Sequence, residues 1–394
     1  FDYARYLRRK GYSGTAYVAD GHWRKTGHDA SRTVSQVALD YREKVVGLYR
    51  SLGFEADELA VLAALTVGDK EELSDDIVET YSVSGASHVL ALSGLHIGFL
   101  YALLLFVLRP LWRRWRRLKL LLLLLLVLFL VSFAFFTGLS SSVVRSVVMF
   151  SLLAFAGLQP EKPLTLNTLA ATAFLMLLCK PVWLFDVGFQ LSFSAVAAIV
   201  LVQPKLYAFW KVDNRFLRYL WGLMTVSMAA QLGTAPLVIF YFSRFSTHFL
   251  LTNLWVIPMV SLVLYSAVFL LMLTPLPFVQ HLFARVVEAL VHVQNEVLRW
   301  IEHLPGAAVD DIWLDIWGVL LVYLFLGMAY YGFLRLTVRR VCFALLALLA
   351  VVSWHSLSIM SNAPRQGIAF YSVRGCPVVH CMADNRHSWL ACTD

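Results

Sequence analysis

Residues 120–138 read LLLLLLLVLFLVSFAFFTG, an apolar run in which only Ser132 and Thr137 are polar and no side chain is charged. At a rise of about 1.5 Å per residue, a helix of this length is roughly 29 Å long, which matches the ~30 Å hydrocarbon layer of a bilayer. The run therefore predicts a transmembrane helix, and it sets the class of the protein.

The composition of the whole chain supports the same class. Apolar residues make up 59% of the 394 residues and charged residues 15%, whereas soluble domains average roughly 45–50% and 25%. The net charge of +8 is typical of cytoplasmic loops in membrane proteins, so by itself it is weak evidence for a nucleic-acid partner. We expect a multi-pass, all-α membrane protein.

The apolar segments predict eight to ten transmembrane helices, one of them re-entrant or broken. The expected spans lie near residues 88–108, 118–137, 143–158, 166–179, 183–202, 217–242, 312–334 and 341–357, with a long apolar stretch at 245–276.

Polar regions flank this membrane domain, which we place at 85–357. The chain begins at Phe1, and we interpret residues 1–30 as the end of an external β domain whose earlier part is missing. Amphipathic helices at 31–84 are too polar to span and are expected at the membrane surface. The tail, 358–394, is expected to form a small β-rich region with strands near 367–373 and 377–381.

Loop charges orient the spans. Residues 109–119 read RPLWRRWRRLK and carry six cations, which is typical of a cytoplasmic loop. Further basic loops at 205–218 and 335–340 fall on the same side when the spans alternate. This parity places the N-terminal region and the tail outside the cytoplasm.

The same parity leaves both ends of 245–276 outside. As one helix this stretch would be about 45 Å long, too long for one crossing and too short for two. Asn253 and Pro258 lie in its middle, and freed backbone groups at membrane depth need protein or water beside them. We expect a re-entrant hairpin or two half-helices; a kinked single helix, with the parity shifted by one, is the alternative.

Residues 279–304 have apolar and charged faces and are predicted to form an interfacial helix rather than a span. Its expected apolar face is formed by Phe283, Val286, Leu290, Val293, Val297 and Ile301.

Polar residues inside the spans are the candidate site. Asp186, Gln190 and Ser194 recur every four residues on the fifth span, and parity places Asp186 at the same depth as Arg145 on the third. Charges at that depth are costly unless paired or hydrated. We therefore expect an Arg145–Asp186 ion pair or a shared hydrated vestibule. Equally, these groups could serve only as polar contacts between helices.

The sixth span is predicted to be broken as well, because Gln231, Gly233, Thr234 and Pro236 interrupt it. Two broken helices beside a polar stripe are typical of a conduction or binding path.

Enzyme signals are few. The sequence has no GxxxxGK[ST] phosphate loop and no HExxH helix. His88 and His96, eight residues apart on one expected span, could share a face and bind zinc, although packing or a local hydrogen bond explains them more simply. Trp112 and Trp115 among arginines suit a single nucleic-acid strand, but membrane anchoring is the better explanation of this loop. The tail cysteines form either one disulfide or free thiols.

Several motifs together resemble the ComEC competence family. Residues 87–100, SHVLALSGLHIGFL, are similar to the segment that opens its membrane domain, and they include His88, Ser93, Gly94 and His96. Residues 137–145, TGLSSSVVR, resemble its "GxxPSxxR" stretch. Further matches follow in the same order at Asn167, at 186–193 (DVGFQLSF, with Gly188) and at 242–264. Residues 1–18 resemble the end of the family's external OB-type domain.

The resemblance implies a bacterial inner-membrane channel that passes single-stranded DNA into the cytoplasm during natural transformation. Arg145 would attract phosphates and Asp186 would orient it, while Gln190, Gln231 and Asn253 line a hydrated path. The implied partners are single-stranded DNA, membrane lipid, an external DNA receptor and a cytosolic ATPase or single-strand-binding protein, with a homodimer left open.

The resemblance ends at the tail. Family members often carry an external β-lactamase-like nuclease domain, but 358–394 is too short for it, and His380 and His387 lack its metal spacing. We therefore expect no enzyme activity, metal or cofactor. A secondary transporter, a membrane enzyme acting on lipid-linked substrates and a degenerate, non-transporting member are the alternatives.

Overall fold

The computed structural model describes residues 33–114, 118–156, 165–334, 337–362, 366–371, 378–383 and 386–390, with a few isolated positions before residue 33. Apart from those positions, the expected β remnant at 1–30 lies outside the described residues, as do Trp115, Cys376 and Cys392. The chain divides into two compact units, Phe1–Ile312 and Trp313–Asp394.

The protein is an all-α polytopic membrane protein, as expected, with a few short strands. The elements of the first unit are α1 (Val34–Ser51), α2 (Ala56–Thr66), α3 (Asp75–Val83), α4 (Ser87–Leu90), α5 (Gly94–Arg114), α6 (Lys119–Phe136), α7 (Ser141–Ala156), α8 (Thr165–Cys179), a 3₁₀ turn (Pro181–Phe185), α9 (Val187–Phe209), α10 (Arg215–Phe242), β1 (Phe245–Ser246), α11 (Phe249–Met272), α12 (Pro277–Glu302) and β2 (Ala308–Val309).

Seven of the described helices are long and apolar enough to cross a membrane. Five belong to the first unit, namely α5, α6, α9, α10 and α11. Two apolar helices, α7 and α8, are shorter, with 16 and 15 residues. At about 1.5 Å per residue each is roughly 23 Å long, and this is short for a full crossing.

Helix α11 corrects the prediction of a break within 245–276. It is one continuous helix of 24 residues that includes both Asn253 and Pro258. The carbonyl of Pro258 accepts a hydrogen bond from the Ser261 hydroxyl at 2.7 Å. A single proline costs one intrahelical bond, and membrane helices tolerate that loss when neighbouring side chains and helices cover the freed groups.

The next helix, α12, packs along α11. The strand β1 before α11 pairs antiparallel with β2 after α12, so both ends of this pair of helices meet at one level. Helix α12 is not among the described helices that are long and apolar enough to cross a membrane.

The buried face of α12 is rotated from the predicted one. Val286 and Val293 are exposed, whereas Gln294 and Asn295 are fully buried. The Tyr81 hydroxyl on α3 explains this, because it donates to Asn295 Oδ1 and accepts from Gln294 Nε2, both at 2.9 Å. Periodicity alone could not have shown that amides would be buried in place of valines.

Helix α2 also differs from the expectation of a surface helix. Every residue from Glu58 to Thr66 is buried, and α2 packs against α1, α4, α11 and α12. Glu58 is accommodated because His292 on α12 bonds to its carboxylate at 2.9 Å. A polar residue of α2 thus forms a contact inside the fold, where a residue at the membrane surface was expected.

Helix α10 corrects the second predicted break. Its 28 residues run continuously through Gly233 and Pro236. A Cβ at Gly233 would lie 2.5 Å from Ala198 Cβ and 2.6 Å from the Ser194 carbonyl oxygen on α9. The glycine therefore permits close packing of the α9–α10 hairpin rather than a gap in the helix.

The second unit contains α13 (Ile316–Leu334), α14 (Val338–Asn362) and the antiparallel strands β3 (Gln366–Tyr371), β4 (Val378–Ala383) and β5 (Arg386–Leu390), in the order β3-β4-β5. The two helices pack together, and Trp354 on α14 donates to the Asp315 carboxylate, which caps α13, at 2.8 Å. The first two strands lie near the predicted positions, and β5 was missed.

Candidate functional site

Arg145 is the most unusual polar residue of the membrane domain. It lies one turn into α7, and only 4% of its surface is exposed. Its guanidinium donates one hydrogen bond to the neighbouring Ser146 hydroxyl at 3.0 Å, and its Nε has no partner. The Phe193 ring on α9 lies 6.0 Å away. Within the described part of the chain no carboxylate pairs with it, so a buried cation is left without an anion.

The predicted Arg145–Asp186 ion pair does not form. Asp186 is the N-cap of α9 and accepts a hydrogen bond from the Phe189 amide at 3.0 Å. Its same oxygen accepts a hydrogen bond from the Ser141 hydroxyl, one turn before Arg145 on α7. Both donors bond to Oδ1, and the Ser141 hydroxyl joins α9 to the helix that carries Arg145.

Two glycines of the resembling motifs make room at this site. A Cβ at Gly94 would lie 2.5 Å from the Arg145 guanidinium and 2.9 Å from the Ser146 hydroxyl. A Cβ at Gly188 would lie 2.9 Å from the Ser141 hydroxyl and 3.1 Å from the Asp186 carboxylate. Segments far apart in sequence, around residues 94, 145 and 190, therefore converge on one point.

His96 lies two residues after Gly94 and is fully buried. Its Nδ1 bonds to the Ser93 hydroxyl at 3.2 Å, and that hydroxyl also accepts from the Leu95 amide at the start of α5. Among the described residues, His96 Nε2 has no hydrogen-bond partner. His88 lies on the separate helix α4, so the prediction that both histidines share one helical face is wrong: the chain bends at residues 91–93 between α4 and α5. The local hydrogen bond explains His96.

The Gln190 side chain joins α9 to α10, whereas the Ser194 side chain bonds within α9. Gln190 donates to the Leu184 carbonyl at 2.9 Å and accepts from the Tyr241 hydroxyl at 2.8 Å. The Ser194 hydroxyl returns to the Leu191 carbonyl at 3.0 Å. The alternative of polar contacts between helices thus describes Gln190 better than a lining of open water. The partner Tyr241 carried no signal in the sequence.

The remaining candidate residues lie on helices other than the one that carries Arg145. Gln231 on α10 is half-buried and makes no hydrogen bond within the described residues. Asn253 on α11 is half-buried, and its side-chain oxygen is buried without a partner. Asn167 is exposed on α8. Pro258 is half-buried inside α11.

Sequence reasoning missed the role of Ser141 and the second polar cluster of the unit. The role of Ser141 could have been inferred from its position four residues before Arg145, which places both residues on the same helical face. The second cluster joins α2 and α3 to α12 through Glu58–His292 and Tyr81–Asn295. These pairs are more than 200 residues apart, so no local pattern could have indicated them.

Comparison with known proteins agrees with these convergent motifs. The family described as "Competence protein" matches residues 65–336. The ComE operon protein 3 of Bacillus subtilis (strain 168) is 28% identical over 220 residues, which are 56% of this chain and 27% of that protein. The chain thus aligns with about a quarter of that relative's length. No solved structure matches.

The matched region, 65–336, includes Gly94, Arg145, Asp186 and Gly233, and it covers more than half of the chain. This protein belongs to the ComEC-type competence protein family.

Proposed function

We propose that this chain is the membrane unit that passes one strand of DNA across the bacterial inner membrane during natural transformation. Family membership supports a role in DNA uptake. The observation that carries the finer proposal is the buried guanidinium of Arg145, which has no carboxylate partner among the residues that the structure describes. Burying such a cation is costly unless an anion compensates it, and a phosphodiester is an anion that guanidinium binds well.

The conformation in which Arg145 is only 4% exposed corresponds, in this proposal, to a closed state. Gly94 on α5 covers the guanidinium, so a phosphate reaches it only when α5 moves away from α7. Asp186 holds α9 against α7 through Ser141 and keeps Arg145 at the mouth of the path. One oxygen of its carboxylate accepts both hydrogen bonds, and the carboxylate forms no ion pair with Arg145 in the described structure, so the guanidinium stays free for the strand.

We further propose that the strand is moved by partners. An external receptor would deliver it to the Arg145 end, and a cytosolic ATPase or single-strand-binding protein would draw it inward. The basic loops at 109–119 and 205–218 would lie in the cytoplasm, with the N-terminal region and the tail outside. The chain itself would act as a gated passage without nuclease chemistry, metal or cofactor.

The test is a strain that carries Arg145→Gln in place of the natural residue. External DNA binding and arrival of labelled strand in the cytoplasm are measured separately, with membrane levels of the protein checked by immunoblot. We expect DNA binding to persist and strand arrival to fall at least tenfold, because one charged phosphate contact contributes about 1.5–3 kcal/mol.

Arg285→Gln is the matched control, because Arg285 is an exposed arginine paired with Glu288. It removes the same charge and should leave strand arrival unchanged. Arg145→Lys should retain part of the activity, since it keeps the charge and loses the planar fork. Normal strand arrival with Arg145→Gln at normal protein level would refute the role of Arg145.

A further inference from the structure

The end of the α9–α10 hairpin farthest from Asp186 is a second charged surface, which we call the hairpin tip and define as residues 205–219. Helix α9 has 23 residues and is about 33 Å long. The Asp186 end and the hairpin tip are thus separated by about the thickness of a bilayer hydrocarbon core.

The hairpin tip is held rigidly by its own hydrogen bonds. The Asn214 side chain caps α10 and accepts from the Phe216 amide at 2.8 Å. Arg218 donates to the carbonyls of Val212 and Asp213 at 3.0 and 3.1 Å. Trp221 donates to the Tyr207 carbonyl at 3.1 Å. These bonds hold the backbone from which the remaining side chains of the loop extend.

Those remaining side chains are cations and aromatic rings. Lys205, Lys211 and Arg215 are exposed and form no ion pair or hydrogen bond within the described residues. Phe209 and Phe216 beside them are 79% and 68% exposed. Rings of this kind are unfavourable in water, but they suit the layer between acyl chains and headgroups.

The charge of the hairpin tip is uncompensated. Asp213 is the only acidic residue between positions 187 and 287. Arg215 and Arg218 also occupy the first turn of α10, which has no acidic residue, and the helix dipole there already favours an anion. Three cations without a partner among the described residues and a positive helix end thus favour an anionic ligand, and the exposed rings favour an apolar layer beside it.

We propose that the hairpin tip binds the headgroups of anionic phospholipids. Lysine and arginine place their charges among the phosphates, while Phe209 and Phe216 enter the region of the upper acyl chains. Lipid fits better than a single nucleic-acid strand, because α9 and α10, both long and apolar enough to cross a membrane, end here, and the rings extend from an apolar helical hairpin. A lipid phosphate reaches these cations without any movement of the fold.

The experiment uses the full chain in a neutral detergent, titrated with short-chain phosphatidylglycerol or phosphatidylcholine. Native mass spectrometry reports bound lipid, and hydrogen exchange reports protection of residues 205–219. Each cation near an anionic surface contributes about fivefold in affinity. We expect the triple variant K205Q/K211Q/R215Q to lower the preference for phosphatidylglycerol on the order of 10- to 100-fold.

The matched control, K44Q/K70Q/K180Q, removes the same charge from exposed positions elsewhere in the first unit and should keep the preference. In the unmodified protein, phosphatidylglycerol should protect the hairpin tip, and phosphatidylcholine should not. Equal lipid preference in the two triple variants would overturn the proposal. So would protection of the tip by a thymidine oligonucleotide in place of phosphatidylglycerol, which would assign the surface to the strand.

Discussion

Replacing Gly94 by alanine tests the packing that encloses Arg145. The new Cβ would lie 2.5 Å from the guanidinium, while ordinary contact begins near 3.4 Å, so either the guanidinium or α5 must move by about 0.9 Å. Overpacking of this kind costs about 1–3 kcal/mol. If the guanidinium moves instead, its hydrogen bond to Ser146 is lost, at about 1.5–3 kcal/mol.

Better helix propensity offsets up to about 1 kcal/mol of this cost, so we expect Gly94→Ala to lower the free energy of unfolding by about 1–2 kcal/mol. The assay is reversible unfolding in mixed micelles of dodecyl maltoside and dodecyl sulfate. Gly47→Ala is the control, since nothing lies within 4 Å of its Cβ, and it should be neutral or stabilising.

A double-mutant cycle identifies the cause. If the guanidinium is what the new methyl group meets, the cost of Gly94→Ala should fall by at least half in an Arg145→Ala background. A cost that is unchanged in that background would refute the packing argument. A free energy of unfolding that Gly94→Ala alone leaves unchanged would refute the packing argument as well.

Three further predictions concern other contacts of the first unit. Gly233→Ala should cost about 2–3 kcal/mol, because its Cβ would meet the backbone of α9 at 2.6 Å, whereas Gly222→Ala, with its nearest atom at 3.9 Å, should be tolerated; equal costs would contradict this. Tyr81→Phe leaves two buried amides without their shared hydroxyl and should cost about 1–3 kcal/mol, measured in the same micelles. The hydrogen bond that His292 donates to Glu58 raises the pKa of His292 above its ordinary 6.5, so the stabilising effect of this pair is complete below pH 6.5 and is lost as the pH rises through the raised value. Unfolding curves should therefore show a decline above pH 6.5 that His292→Gln flattens; an identical decline in both proteins would argue against this pair.

The ionisable pairs show why partners were harder to predict than helices. Arg145 and Asp186 were expected to pair because parity gave them similar depths, yet depth does not decide the direction in which a side chain points. The Ser141 hydroxyl and the Phe189 amide lie nearer to the carboxylate. Gly94, singled out as part of a motif, proved to be the neighbour of the guanidinium.

The residues that were expected to break helices also differ from the prediction. Pro258 and Gly233 were interpreted as gaps in helices, and in the structure both lie inside continuous helices. Proline loses a single hydrogen bond, and glycine lacks only a side chain. Neither change outweighs the cost of exposing several backbone groups in an apolar layer.

The amino-acid sequence alone determined that this chain forms apolar helices in a membrane, because an uncharged run such as 120–138 has no more favourable place than a lipid layer. It also determined the family, since the motifs around residues 94, 145 and 186 stand in a specific order. Only the tertiary structure decided that Glu58 would be buried against His292 and that Arg145 would have no carboxylate partner in the described part of the chain. Such contacts depend on how helices distant in sequence rotate and pack, and periodicity along one helix carries no information about that rotation.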